Sequence, residues 1–312
     1  MLGVIVSLGS ALAFSLSNVA VRRGVLKAPV SHGTFVTVLM GVPLFLLACI
    51  VSGQVLHVGR LGADEYGLLA LAGMVHYVFG RYFNYAGVEA IGATRSGPNN
   101  ALNLPYSVTL AWLFLGEDMS LGIVIGIVLA LLGPLLMIER RAPVQQAVAI
   151  PAGPAPAEAP ALPEVRFRQV EGYIFATLCA ICYGTSPVLI RSALEGHGQV
   201  SLLGGLTAYT AAALLLIGSL MLPSRRGLVK ALNVETMRAF FAAGFFVFLA
   251  QMLNFIALTL ASVAVVGTFI RFSNVFTLII SWIYNRRLEM ITGRTVLGVS
   301  FAVAGAVVML FA

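Results

Sequence analysis

Arg81 and Arg271 stand near the middle of long apolar runs, where a charged side chain facing lipid costs roughly 2.5 to 3.5 kcal/mol. Such a group persists only where it meets water, a backbone carbonyl or an anion. At helical spacing Tyr77, Arg81 and Asn84 share one face, and Arg271 shares another with Gly267 and Asn274. No Asp or Glu lies deep in an apolar run to pair with either arginine. A planar guanidinium offers two parallel donors to a carboxylate or phosphate. The missing counter-ion is therefore expected to be a bound anionic solute. The competing reading makes each arginine a cap on carbonyls freed at a helix break.

Amides cluster around the same places. Asn99, Asn100 and Asn103 lie between Gly97-Pro98 and Pro105, residues that interrupt a helix and free its carbonyls. They either line a cavity or bridge helices by hydrogen bonds, and Ser273 and its neighbours invite the same two readings. Gln251 and Asn254 follow Arg81 and Asn84 by 170 positions and are expected to line the cavity too. His76 reads as a hydrogen-bonded helix histidine rather than a proton relay. Arg22, Glu89, Arg95 and Arg191 stand at the ends of apolar runs, where snorkelling to the interface accounts for them. Cys49, Cys179 and Cys182 read as small packing residues. No phosphate loop, dinucleotide fingerprint, zinc spacing or nucleophile–base pair is present, so neither an enzyme nor a cofactor or metal is expected.

The elements that must hold these groups follow from composition. The chain is 312 residues, 59% hydrophobic and 10% charged, with a mean hydropathy of +0.97. A soluble domain carries about 25% charged residues. The expected class is thus an all-α membrane protein. Its net charge of +7 is scattered among loops, which argues against nucleic acid as a partner. Windows long enough to span a bilayer fall at 2–21, 32–52, 66–88, 94–115 and 120–138, then at 171–191, 200–222, 236–260, 263–285 and 293–312. The first is long, lacks a charged leader and ends at Arg22-Arg23, so it is expected to be a retained helix. Residues 139–170 hold six prolines among many alanines and read as an extended linker.

The halves repeat. At an offset of 170, Thr37 matches Thr207, Glu65 matches Glu235, Asn84 matches Asn254, Gly97 matches Gly267 and Trp112 matches Trp282. At 169, Arg22 matches Arg191, and the run from Phe14 to Ser17 matches that from Tyr183 to Ser186. The expected architecture is ten transmembrane helices as two inverted five-helix repeats, 1–138 and 171–312, because five spans reverse the direction of the second half. Polar, broken helices repeated in two halves are the sequence mark of a transporter. Fifteen Lys and Arg residues fall in the loops after helices 1, 3, 5, 7 and 9, against two in the opposite loops, which predicts a cytoplasmic linker and external termini. Small residues recur at Gly122, Gly126 and Ala130, and at Gly298 and Ala302, and are read as packing within a monomer before a homodimer seam.

With the repeat in view, the chain resembles the EamA-like branch of the drug/metabolite transporter superfamily. The residues that carry this are Asn84-Tyr85-Ala86, Ile91-Gly92-Ala93-Thr94, Pro105 and the run from Trp112 to Glu117, with Ser17-Asn18 near the end of helix 1. In the second half the family's helix-9 proline is replaced around Asn274-Val275, and the closing glutamate, Glu289, comes about two residues late. The resemblance implies a central cavity with helices 5 and 10 at the periphery, alternating access, and a place in the plasma membrane of a bacterium, the inner membrane. The expected function is secondary transport, as an exporter, of a small metabolite with a carboxylate or other anionic group, such as an amino acid. The expected partners are that solute and the lipid bilayer. One alternative is a lipophilic-cation or drug antiporter, which would need a buried carboxylate. The other is a non-transporting membrane sensor or assembly subunit, which would not need two similar halves.

Overall fold

Apolar runs fold into helices that pass through Pro43 and Pro187 but turn at Gly53, Gly92 and Gly196, where φ is positive. A computed structural model describes residues 2–100, 102–115, 120–137, 168–221, 234–261, 263–285, 288–289 and 291–311. The linker lies almost wholly outside the described residues. The first half comprises α1 (Leu2–Val25), α2 (Val30–Val51), α3 (Ala63–Gly73), α4 (Arg81–Ile91), α5 (Ala93–Asn100), α6 (Asn103–Leu115) and α7 (Leu121–Met137). The second comprises α8 (Gln169–Leu194), α9 (Ser201–Ser219), α10 (Val234–Leu260), α11 (Val263–Ile270), α12 (Phe272–Tyr284) and α13 (Gly293–Leu310).

Where ten windows were expected, six helices among the described residues are long and apolar enough to cross a membrane. The difference has local causes. Window 66–88 is one rod from Ala63 to Ile91, with a π-helical stretch at Met74–Gly80 between α3 and α4. Window 94–115 is divided between α5 and α6, and window 293–312 holds a shorter apolar helix among the described residues; window 263–285 bends at Arg271 yet is one of the six. These interruptions leave backbone groups outside the regular ladder, which a membrane protein tolerates only beside a cavity or other protein. The breaks recur at the repeat offset: α5 begins at Ala93 and α11 at Val263, α6 at Asn103 and α12 at Phe272.

Small and hydroxyl residues let the helices approach closely. Along α1, Ser10 donates to the carbonyl of Ala250 at 2.8 Å and Ser17 to that of Ala243 at 3.0 Å, joining α1 to α10. α7 and α13 lie against each other at the edge of the bundle, with Gly126 and Gly298 buried. These two glycines are thus covered within one chain. The main core gathers Phe45, Tyr209, Phe248 and Phe255 between α2, α9 and α10. Outside it, Val124, Ile125, Leu214, Ile217, Ile279 and Ile283 are exposed, a surface suited to hydrocarbon. Where α3 crosses α9, a Cβ on Gly73 would overlap the backbone carbonyl of Ala208, which has no rotamer to yield. Gly73→Ala should therefore cost about 1–3 kcal/mol, read as a lower melting temperature in detergent. Gly67→Ala, which meets open space, should melt like the parent, and equal melting of the two variants would contradict this crossing.

The repeat offset also appears in contacts. Arg22 donates to the carbonyl of Val88 at 2.7 Å, and Arg191 donates to that of Leu258 at 3.0 Å, partners 170 apart from arginines 169 apart. The two clasps occupy opposite ends of the bundle. The start of α8 lies beside the first, where Arg168 N–H bonds the carbonyl of Ala90 at 2.9 Å, and Arg191 sits at the far end of that helix.

Candidate functional site

A cavity of about 120 Å³ opens between α1, α4, α6, α8, α10 and the α11–α12 break. Arg81 follows directly on the π-helical stretch, and Tyr77, four residues before it, lies against its side chain. The guanidinium lies 4.9 Å from the centre of the Tyr77 ring and 5.2 Å from that of Tyr209. Its Nη2 donates to the Tyr209 hydroxyl at 2.7 Å and its Nη1 to Thr37 Oγ1 at 3.4 Å, while Tyr85 donates to the same Thr37 oxygen at 3.2 Å. Nε is buried and has no partner among the described residues. The cation is thus held by neutral aromatic and hydroxyl groups. Among the described residues no carboxylate lines the cavity. This arrangement leaves its charge to be met by whatever enters.

Behind Arg81 lies a layer of neutral polar groups. Gln251 Nε2 approaches His76 Nε2 at 2.9 Å and Ser186 Oγ approaches His76 Nδ1 at 2.5 Å. An amide nitrogen only donates, so Nε2 accepts and Nδ1 carries the proton toward Ser186, in the amide orientation assigned here. The ring stacks on Tyr183 with centroids 4.2 Å apart. Both nitrogens are occupied, as for the hydrogen-bonded helix histidine that the sequence suggested. Tyr77 completes the layer, donating to Gln251 Oε1 at 3.4 Å.

The amides take both roles left open for them. Asn100 Nδ2 donates to Asn84 Oδ1 at 2.7 Å, bridging α5 to α4, and both residues also line the cavity. Asn103, Asn254 and Asn274 line it as well, and the buried Asn274 Nδ2 has no partner among the described residues. Arg271 stands at the α11–α12 break, and its Nε donates to the carbonyl of Gly267 at 3.3 Å. That contact is the one the capping alternative specifies, yet the same side chain borders the cavity.

Of the nine residues singled out from sequence, Arg81, Asn84, Asn103, Asn254, Arg271 and Asn274 therefore border one cavity. Tyr77 and Gln251 stand behind it, in contact with Arg81 and His76. The Asn99 side chain lies outside the described residues. Sequence reasoning passed over Tyr209, Tyr85 and Tyr183, because an aromatic residue in an apolar helix carries no signal of its own. It also misplaced two cations: Arg22 is fully buried and Arg95 is 1% exposed, so neither snorkels.

Arg22 donates to the carbonyls of Val88, Glu89 and Leu288, and its Nε lies 3.7 Å from Glu289. Glu289 in turn accepts from the N–H groups of Ala93 and Thr94 at 2.9 and 3.2 Å and from the Thr94 hydroxyl at 2.8 Å. A carboxylate from a distant loop thereby caps the positive end of α5. Burial pushes its carboxyl above the ordinary range, against the opposing pull of Arg22 and these donors. Gly92, with φ of 85°, supplies the left-handed turn between α4 and α5 and leaves the space that carboxylate fills.

One solved crystal structure is similar over 98% of this chain and 95% of its own, with a TM-score of 0.62 at 16% identity, a likeness of fold alone. No curated protein matches the chain. The model of the EamA-like transporter family matches it twice, over residues 1–139 and 170–311. With its apolar helices and its paired matches, the chain is a multi-pass membrane protein that belongs to the EamA-like transporter family.

Proposed function

We propose that the chain is a secondary transporter, working as an exporter by alternating access, of a small metabolite with a carboxylate or other anionic group. The observation that carries this is Arg81: a buried guanidinium held by Thr37, Tyr77 and Tyr209, bordering a polar cavity whose described lining holds no carboxylate. An amino acid suits such a site. Its carboxylate would meet Arg81, and its ammonium the amide oxygens of Asn84, Asn103 and Asn254 or the face of Tyr183. The architecture we assign is ten transmembrane helices in two inverted five-helix repeats, 1–138 and 171–312, joined by a cytoplasmic linker at 139–170, in the bacterial inner membrane. Supporting it are the breaks in α5–α6 and α11–α12, the arginine clasps at opposite ends, and the fifteen-to-two division of Lys and Arg between alternate loops in the sequence.

The test is a melting-temperature screen of the purified protein against amino acids, organic acids, nucleosides and organic cations. A solute that binds only the folded protein stabilises it, by about 2.7 kcal/mol at one hundred times its Kd. Carboxylate-bearing solutes are expected to raise the melting temperature, and their uncharged amides are not. Stabilisation confined to lipophilic cations would replace this reading with the antiporter one.

A further inference from the structure

A second crevice, of about 540 Å³, lies on the outer flank of the bundle, between α1, α10 and α12. Its end at the helix termini is basic: Arg23, Lys27 and Arg238 line it, and among the described residues no acidic one does. Arg23 is fixed there, with Nε on Asn285 Oδ1 and Nη2 on the carbonyl of Tyr284, both at 2.7 Å. Lys27 and Arg238 are exposed, and neither forms an ion pair among the described residues. Its other end is apolar, walled by Leu16, Val19 and Ile280. The same helices carry exposed Leu12, Phe245 and Ile283 beside those walls, so the crevice continues onto surface that meets hydrocarbon.

Cations at a helix-end level with an apolar slot below them match one kind of molecule. We propose that this crevice is a binding site for an anionic glycerophospholipid, its phosphodiester on Arg23, Lys27 and Arg238 and an acyl chain along Leu16, Val19 and Ile280. Basic pockets between membrane helices hold such headgroups because phosphate charge and acyl chain are satisfied together. A soluble phosphate would use only the basic end and leave the apolar walls without an occupant. The site bridges α1 to α10 and α12 and is separate from the central cavity. It stands whether or not that cavity binds an anion.

The experiment compares the full-length protein with a Lys27→Gln/Arg238→Gln double variant, which leaves the internally bonded Arg23 intact. Each is reconstituted in vesicles of equal dioleoylphosphatidylglycerol and dioleoylphosphatidylcholine, then released for native mass spectrometry. Melting temperature is measured in parallel with either lipid, or with inorganic phosphate, added to detergent. The parent should retain phosphatidylglycerol in preference and be stabilised by it, with phosphatidylcholine and inorganic phosphate inert. Each basic side chain facing an anionic headgroup contributes roughly a factor of five, so the double variant should lose about 25-fold in preference. Its melting temperature in phosphatidylcholine should stay that of the parent. Equal retention of both lipids, an undiminished preference in the variant, or stabilisation by inorganic phosphate alone would each overturn the proposal.

Discussion

Arg81→Leu should weaken binding of the stabilising solute by at least about 100-fold and abolish transport, while the solute-free protein melts within a few degrees of the parent. The size follows from losing a charge-assisted, two-donor contact in a site screened from water. The small effect on folding follows from the surroundings. Arg81 is held by Tyr77, Tyr209 and Thr37, and among the described residues no carboxylate is left unpaired when it goes. Arg81→Lys should recover little, because an ammonium cannot present the same fork while bonding Tyr209. Arg271→Leu separates the two readings of that residue. Lost binding with unchanged melting makes it a solute contact, whereas normal binding with lower melting makes it a cap on the Gly267 carbonyl. Depressed melting with intact binding in the Arg81 variants would reduce the anionic-solute reading to a scaffold role.

Glu289→Ala should destabilise the protein by about 3–5 kcal/mol, the range for removing one partner of a buried ion pair. In melting temperature that is on the order of 10 °C. Three donors at the start of α5 would lose their acceptor, and Arg22 the carboxylate 3.7 Å from its Nε. Glu289→Gln keeps an acceptor for α5 and should lose less. Removing both partners, as Arg22→Ala/Glu289→Ala, should cost less than the sum of the single losses, since the two residues act as one unit. Calorimetry of the four variants in one detergent measures this directly. A Glu289→Ala protein that melts like its parent would show that α5 is held by other contacts. Because α5 carries Asn100 to its bond with Asn84, the same variant should also loosen the cavity wall.

Much of this was open to reading before any coordinates, because it is periodic or punctuated. The face shared by Tyr77, Arg81 and Asn84 is helical spacing, which the chain obeys locally wherever a helix forms. The breaks beside Gly92 and Asn103 are announced by glycine and proline, whose backbones deviate from the helix for reasons internal to each residue. The break at Arg271 has no such announcement, and it was visible only as the counterpart, 170 positions on, of the one before Asn103. Length and hydropathy made the chain a membrane protein without reference to any contact. The π-helical stretch at Met74–Gly80 left no trace in composition, since it differs from an α-helix only in the register of its hydrogen bonds.

What joins distant segments was decided by the tertiary structure. Thr37 and Tyr209, which orient Arg81, come from α2 and α9, and a tyrosine in an apolar helix looks the same whether it packs or binds. Arg22 and Arg23 are adjacent at the end of α1, yet one is sealed beneath Leu288 and Glu289 while the other faces out over a basic crevice. Sequence placed Arg22 at an interface, because the position of a residue along a helix says how deep it lies and not what stands opposite. Depth comes from counting residues. A partner comes from how helices cross, and that depends on small groups such as Gly73 and Ser10 that permit contact at one angle and not another.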